Sequence, residues 1–455
     1  MQLNQGGMIR EGLALAVCVL LTGAPAQAYD IESAAEDSAT GSTNLGVLSY
    51  QEGDGRIKVS KYQANVRNVW SEDSEFSIDL SVDSLSGGSP NGALPSRSVQ
   101  TFATPSGRSL QKPVKKAPTV QTCTTPSGTT YNCTAGSSEK SSIYDVSAGQ
   151  LPMDNSFSDK RQAISMSYGG SLAPSTRLAL GGAFSTEADY QSLSANVALT
   201  QSFNQKNTTL SLGVNVERDS SSPVGGTPLP LSNYALFQRQ GDQTKAVNDV
   251  LLGVTQVMTR RWLTRLNLSA DNAQGYHNDP YKIVSALDST GRVVGYLYEN
   301  RPDQRSRRSL YWENRYALDR DTITASVRAM RDDWGMNSKT VDLRYRYVWS
   351  DGGFIEPHLR WYTQTAADFY RLYVMQGDPY LKAVSADSRL GGFTAKTVGV
   401  KLGYEMSRDS VFSLRFERYQ QTGEVNMAGL PQLQGLDLNP GLSATIVSAD
   451  LQFKF

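Results

Sequence analysis

The chain has 455 residues, 19% of them charged, with Lys+Arg and Asp+Glu equal at 44 each. A mean hydropathy of −0.40 excludes a bundle of transmembrane helices, and the zero net charge leaves no global field for nucleic acid or an anionic surface. A transmembrane β-barrel stays compatible, because half of every strand faces water and the loops are polar.

Arg10 precedes an apolar run over 13–21, followed by Thr22-Gly23-Ala24-Pro25 and the small-residue site Ala26-Gln27-Ala28. This predicts a secretory signal peptide over 1–28, cleaved before Tyr29. The run is too short for a spanning helix, which takes about 20 apolar residues. Cys18 lies inside it rather than at the cleavage site, which argues against a lipoprotein anchor. Residues 29–43 are acidic and small and read as a flexible periplasmic leader.

From Asn44 apolar and polar residues alternate. Phe76-Ser77-Ile78-Asp79-Leu80-Ser81-Val82-Asp83, Leu193-Ser194-Ala195-Asn196-Val197, Leu210-Ser211-Leu212-Gly213-Val214 and Val341-Asp342-Leu343-Arg344-Tyr345 all follow the rule. Period two puts one set on each face of a strand. The pattern predicts an all-β, antiparallel transmembrane barrel over 44–455, of about sixteen strands of roughly 9–14 residues. Short turns fall near 71–74, 173–175, 205–207, 259–261, 319–321, 350–353 and 406–409. Most links between them are long: 86–159, 219–244, 272–305, 365–390 and 421–441. Outer-membrane barrels have short periplasmic turns and long extracellular loops. Trp70, Phe203, Trp262, Trp349, Phe354 and Tyr404 cluster near the short turns, as an inner aromatic girdle requires.

The extracellular loop 86–159 is rich in Ser, Thr, Pro and Gly, and it carries Cys123 and Cys133 about a turn-rich stretch. An even pair in an exported chain predicts a local disulfide staple. The loop's low apolar content predicts mobility outside the staple and no folded plug.

The polar face of the C-terminal strands is unusually charged. Arg328, Asp342, Arg344, Arg346, Glu356, His358, Arg360, Arg415 and Glu417 all read as lumen-lining. They pair across neighbouring strands or form a guanidinium ladder for anionic or polar solutes. Two outer loops share a near-repeat, Asp279-Pro280-Tyr281-Lys282 and Asp378-Pro379-Tyr380-Leu381-Lys382. With Arg301, Asp303, Arg305, Asp368 and Tyr370 these residues suggest a binding cluster of carboxylate, Arg and Tyr at the mouth. His277 and His358 stand outside any metal-ligand spacing, and the chain has no nucleophile elbow, phosphate loop or dinucleotide fingerprint. The sequence therefore argues against an enzyme, and implies no cofactor or resident metal. The chain ends Val447-Ser448-Ala449-Asp450-Leu451-Gln452-Phe453-Lys454-Phe455, a strand of outer-membrane type. Phe453 and the terminal Phe455 resemble the signal read by the barrel-assembly machinery.

The motifs Gly275–Lys282, Glu299–Arg305 and Tyr362–Tyr370, with Tyr50-Gln51-Glu52-Gly53-Asp54-Gly55-Arg56-Ile57, resemble the bacterial outer-membrane family known as domain of unknown function 3570. The resemblance implies a barrel in outer-membrane lipid of a Gram-negative cell, with no assigned activity. Members are often encoded beside thioredoxin-like and flavin-transferring exported proteins, which implies such a partner by association. Two functions are expected: a passive channel for polar solutes, or a non-conducting barrel acting as receptor or scaffold for an exported redox or flavoprotein system.

Overall fold

The computed structural model describes residues 41–455 apart from 54, 72–73, 104–119, 125–129, 135–142, 351, 379–380, 425–435, 437 and 439–440. The predicted signal peptide, most of the predicted leader and Tyr380 lie outside the described residues.

Sixteen antiparallel strands close into a barrel. In chain order they are Gly41–Glu52, Lys58–Ser71, Ser74–Ser86, Ser158–Ala173, Thr176–Thr186, Tyr190–Phe203, Thr208–Ser221, Gln243–Thr259, Trp262–Gly275, Gln304–Ala317, Thr322–Asp332, Asn337–Ser350, Gly353–Gln364, Phe393–Ser407, Ser410–Gly423 and Leu442–Lys454. The first strand opens at Gly41, inside the stretch read as leader. Alternation decides the two faces. Leu193, Val197 and Leu199 stand exposed on the outside, while Ser194 and Ala198 between them are buried. Only a closed barrel lets strands cross hydrocarbon with every backbone group paired. The seam joins the first strand to the last, with Leu45 opposite Leu451 and Thr43 opposite Phe453. The Gly41 amide donates to the Phe455 carbonyl at 2.8 Å, and the Phe455 amide returns the bond at 3.0 Å. Phe453 and Phe455 both face outward.

All the short turns lie at one rim and the long links at the other, with three short exceptions at 53–57, 187–189 and 333–336. Trp70, Phe203, Trp262, Trp349 and Tyr404 project outward near the short-turn rim. Phe354 does not join them. It shares the inward register of Glu356 and His358, and the Arg346 guanidinium lies 4.2 Å from its ring centroid. Nearness to a turn sets an aromatic's height, but its parity sets its face.

The long loops do not hang free. Residues 87–103 and 143–157 of the loop expected to be mobile are folded, with Gln100–Ala103 paired to Ile143–Val146. Ala93, Phe102 and Val146 bury against Ile283 and Tyr298 from the loop between the ninth and tenth strands. There Ile283–Leu287 pairs with Val293–Tyr298 and, in parallel, with Tyr373–Met375 from a third loop. Leu94, Leu287 and Leu438 join three loops in another core, and Val284, Val374 and Val384 form a further one. The expectation of too few apolar residues fails because each loop borrows its partners from another. Strands four to nine separate the roots of the first two loops on the ring. Contact between them therefore requires crossing the mouth, and the loops form a cap over it.

Gly92 (φ 96°) is where two of these loops touch, and a Cβ there would strike the Ile283 carbonyl oxygen. A left-handed backbone and a close approach both demand glycine. Gly92→Ala is expected to loosen the cap by about 1–3 kcal/mol without changing barrel formation. Limited trypsin digestion on intact cells would show it as faster cleavage in the loops while heat-modifiable gel migration stays normal.

In the ribbon Val120–Thr124/Thr130–Thr134, Cys123 pairs with Tyr131 and Cys133 with Gln121. The cysteines are thus diagonal neighbours in the backbone register rather than facing partners.

Candidate functional site

Two charged assemblies lie one above the other. The lower one is on the lumenal wall, where alternation turns Arg328, Asp342, Arg344, Arg346, Glu356, His358, Arg360, Arg415 and Glu417 inward. His358 bridges three strands. Its Nδ1 lies 2.8 Å from Glu417 Oε1 and its Nε2 2.8 Å from Asp342 Oδ2. Both contacts are served at once only when both ring nitrogens carry hydrogen. Arg344 reaches Asp342 at 3.3 Å, Arg415 reaches Glu417 at 3.0 Å and Glu356 at 3.6 Å, and Arg346 meets Glu356 at 3.1 Å. Opposite charges alternate along this wall, so Arg344, Arg346 and Arg415 are paired side chains rather than rungs of an open guanidinium ladder.

The upper assembly lies inside the cap. Arg389 donates to Asp279 Oδ2 at 2.8 Å and grips Asp387 through Nε at 2.9 and 2.8 Å. Arg301 lies 2.8 Å from Glu299 and 2.9 Å from Asp387. Glu299 also accepts from the Asp279 amide and from the Ser385 hydroxyl, each at 2.5 Å. Lys282 donates to Ser89 Oγ at 2.7 Å and to the Pro90 carbonyl, tying in the loop after the third strand. Three acids and three bases balance in a buried cluster.

Burial pushes the Asp279 and Asp387 carboxyls up, but neighbouring cations outweigh it and hold both below the usual carboxylate range. These are Arg389 and Lys282 for Asp279, joined by Arg301 for Asp387. Burial wins at Glu299, whose carboxyl is raised despite Arg301, and at Lys282, whose ammonium is lowered. Tyr370 is pushed up to about 12 by burial and by Asp387.

The sequence-predicted loop residues divide. Asp279 and Arg301 are in the cluster, with Tyr370 at its edge. Tyr281 turns instead to Asp189, to which its hydroxyl donates. Asp189, Asp159 and Glu187 bring carboxylate oxygens within 4.8 Å of one another. Arg305 pairs with Asp332 at 2.6 Å and lies 4.4 Å from the Trp334 ring centroid. Asp303, Asp368 and Asp378 are exposed. The two Asp-Pro-Tyr motifs are therefore not equivalent: Asp279 is buried in a network, and Asp378 stands at a loop tip. Sequence reasoning missed Glu299, Lys282, Ser385, Asp387 and Arg389. Lys282 closed and Glu299 opened motifs already singled out. Asp387 and Arg389 carried a local signal, an Asp capping the short 3-10 turn Ser388–Leu390.

A closed sixteen-stranded antiparallel barrel with an apolar exterior, a charged interior and loops long at one rim only is a barrel of outer-membrane type. The chain belongs to the family described as "Protein of unknown function (DUF3570)", whose model matches residues 10–454. No curated protein matches it. Among solved structures it is similar to a mutant form of the ferric enterobactin receptor PfeA of Pseudomonas aeruginosa, at TM-score 0.40 and 10% identity over 85% of this chain and 54% of the receptor. It is similar at TM-score 0.39 and 8% identity to the siderophore receptor PirA of Acinetobacter baumannii, over 86% of this chain and 55% of that one. A bacterial polysaccharide outer membrane secretin gives TM-score 0.43 and 7% identity, over 92% of this chain and 99% of the secretin. The chain thus spans about half the length of the receptors it matches.

Proposed function

We propose that this is an outer-membrane barrel closed at its extracellular mouth by its own loops, serving as a receptor or scaffold rather than a standing pore. The observation that supports this is the cap: loops rooted on opposite sides of the rim share buried apolar cores and a charge-balanced network. A porin-like loop constricts a lumen, whereas interlocked loops with cores of their own obstruct passage. An exported thioredoxin-like or flavin-modified protein is the partner class such a scaffold would receive. On this reading residues 1–28 direct export and are removed. The Cys123–Cys133 staple belongs to the same proposal, and it requires the ribbon to slip by two residues, since diagonal partners lie roughly 7–8 Å apart. Thiol trapping with and without reductant reads that directly.

The deciding experiment is single-channel recording of the folded protein in a planar bilayer. The proposal expects no regular steps from the intact chain and discrete steps after deletion of residues 278–302. Regular, ion-selective steps from the intact chain would overturn it in favour of the passive channel for polar solutes. The charged lumenal wall supports that second reading. Under it, replacing Arg344, Arg346 and Arg360 with Ser changes anion preference severalfold, and an unchanged preference removes those arginines from conduction.

A further inference from the structure

The lipid-facing wall carries charge of one sign, at one height. On the outward register Lys58, Lys160, Arg218, Lys396 and Arg418 are exposed, each near the long-loop end of its strand. Among the described strand residues, no Asp or Glu shares that register. A lone lysine at a membrane interface is ordinary snorkelling. Three strands carry something denser. Arg308 of the tenth strand sits directly opposite Arg331 of the eleventh. Lys339 of the twelfth pairs with Ala329, two residues from Arg331. Like charges directly opposite on one sheet face repel. Of the two acids that follow Arg331 in sequence, Asp332 is buried against Arg305 at 2.6 Å and Asp333 accepts from the Ser306 amide at 2.9 Å.

A groove of about 520 Å³ runs beside these cations on the outer wall. Its sides include Leu252, Leu268 and Leu310, and Ala270 and Ala329 leave room between them. Ala270 lies opposite Arg308 and Leu310 opposite Ala329, so the apolar furrow and the basic cluster share neighbouring register positions. Height fits as well. Lys339 stands ten residues from Trp349 of the short-turn girdle along one strand. At about 3.3 Å per residue and a tilt of about 40° this is roughly 25 Å, the height of the apolar band of an outer-membrane barrel.

We infer that Arg308, Arg331 and Lys339 with this groove form a binding site for a phosphorylated glycolipid of the outer leaflet. Its phosphates sit on the three cations and one acyl chain lies in the furrow. Three convergent positive charges match a headgroup with two phosphates better than one with a single phosphodiester. The anion also relieves the Arg308–Arg331 repulsion that the bare wall would carry. The site is independent of whether the lumen conducts.

The test is native mass spectrometry of the full-length, heat-modifiable protein in non-ionic detergent, titrated with purified lipid A and, separately, with phosphatidylglycerol. A one-to-one lipid A complex is expected, tighter than the phosphatidylglycerol complex. Each cation near an anionic lipid strengthens binding by about fivefold. The triple variant R308Q/R331Q/K339Q should therefore bind about a hundredfold more weakly, and K58Q/K160Q/R218Q, which removes three outward cations elsewhere, close to normally. Ala329→Phe keeps every charge and fills the furrow, and is expected to weaken binding about tenfold. Undiminished lipid A binding by the folded triple variant, or phosphatidylglycerol binding as tight as lipid A, would overturn the assignment. If the triple variant does not fold, Ala329→Phe decides: full affinity there overturns the site and the expected loss supports it.

Discussion

Replacing Arg389 with Ala is expected to unlock the cap. Arg389 holds Asp279 at 2.8 Å and Asp387 through its Nε at 2.9 and 2.8 Å. The variant leaves two buried carboxylates with only Lys282 and Arg301 nearby. Breaking a buried pair by removing one partner costs about 3–5 kcal/mol, and the Arg389–Asp279 pair joins two loops across 110 residues of sequence. The loops should therefore become protease-sensitive on intact cells while the barrel stays heat-modifiable. In a bilayer the variant should give current steps that the parent lacks. Arg389→Lys should rescue only in part, because an ammonium cannot reproduce the two-sided grip of a guanidinium. The acid side gives an independent check. Asp279 and Asp387 are held below their ordinary range, so their stabilising contribution is fully present above about pH 4, the unfolded carboxyl value. It is lost only as pH falls through their lowered folded values. Glu299 runs the other way: its raised carboxyl takes up a proton first on acidification, which relieves a burial cost. The wild-type cap should thus hold between pH 7 and pH 5 and loosen only in stronger acid. A loop cluster that opens on moving from pH 7 to pH 5, measured by the same proteolysis, would show that this network does not hold the cap.

The barrel was legible in the sequence because its physics is local. Alternation in 193–199 or 341–347 needs no knowledge of any other strand, and every long-to-short change of link length is read within one hairpin. The lumenal side chains followed from parity alone, which placed Asp342, His358 and Glu417 on one face before their mutual contacts were visible. Phe354 shows what happens when parity is set aside for nearness to a turn. The cap was not legible, because its cores are sums over loops far apart in sequence. Phe102 packs with Ala93 and Val146 of its own loop, but that core is completed only by Ile283 and Tyr298 of another. Arg389 and Asp279 are separated by 110 residues. A loop judged by its own composition looked too polar to fold, and only the ring order of the strands shows which loops meet over the mouth.

The lumenal histidine separates two ways of closing the barrel. His358 joins Asp342 to Glu417, and all three side chains are largely buried, at 6%, 14% and 12% exposure. Truncation to Ala leaves both carboxylates with their arginines alone, Arg344 at 3.3 Å and Arg415 at 3.0 Å. A loss of about 3 kcal/mol is expected, read as an earlier denaturant midpoint for barrel unfolding. Combining His358→Ala with Glu417→Gln should return part of it, because the second change removes one of the charges the first leaves behind. Residues in one network couple by about 0.5–3 kcal/mol, so strict additivity would mean that the bridge contributes nothing. The same variant should stay electrically silent, since removing an imidazole from the wall leaves the cap in place across the mouth. Current from His358→Ala with the loops still protease-resistant would move the barrier from the cap down to the lumenal wall. Silence there, together with current from Arg389→Ala, would place it in the cap.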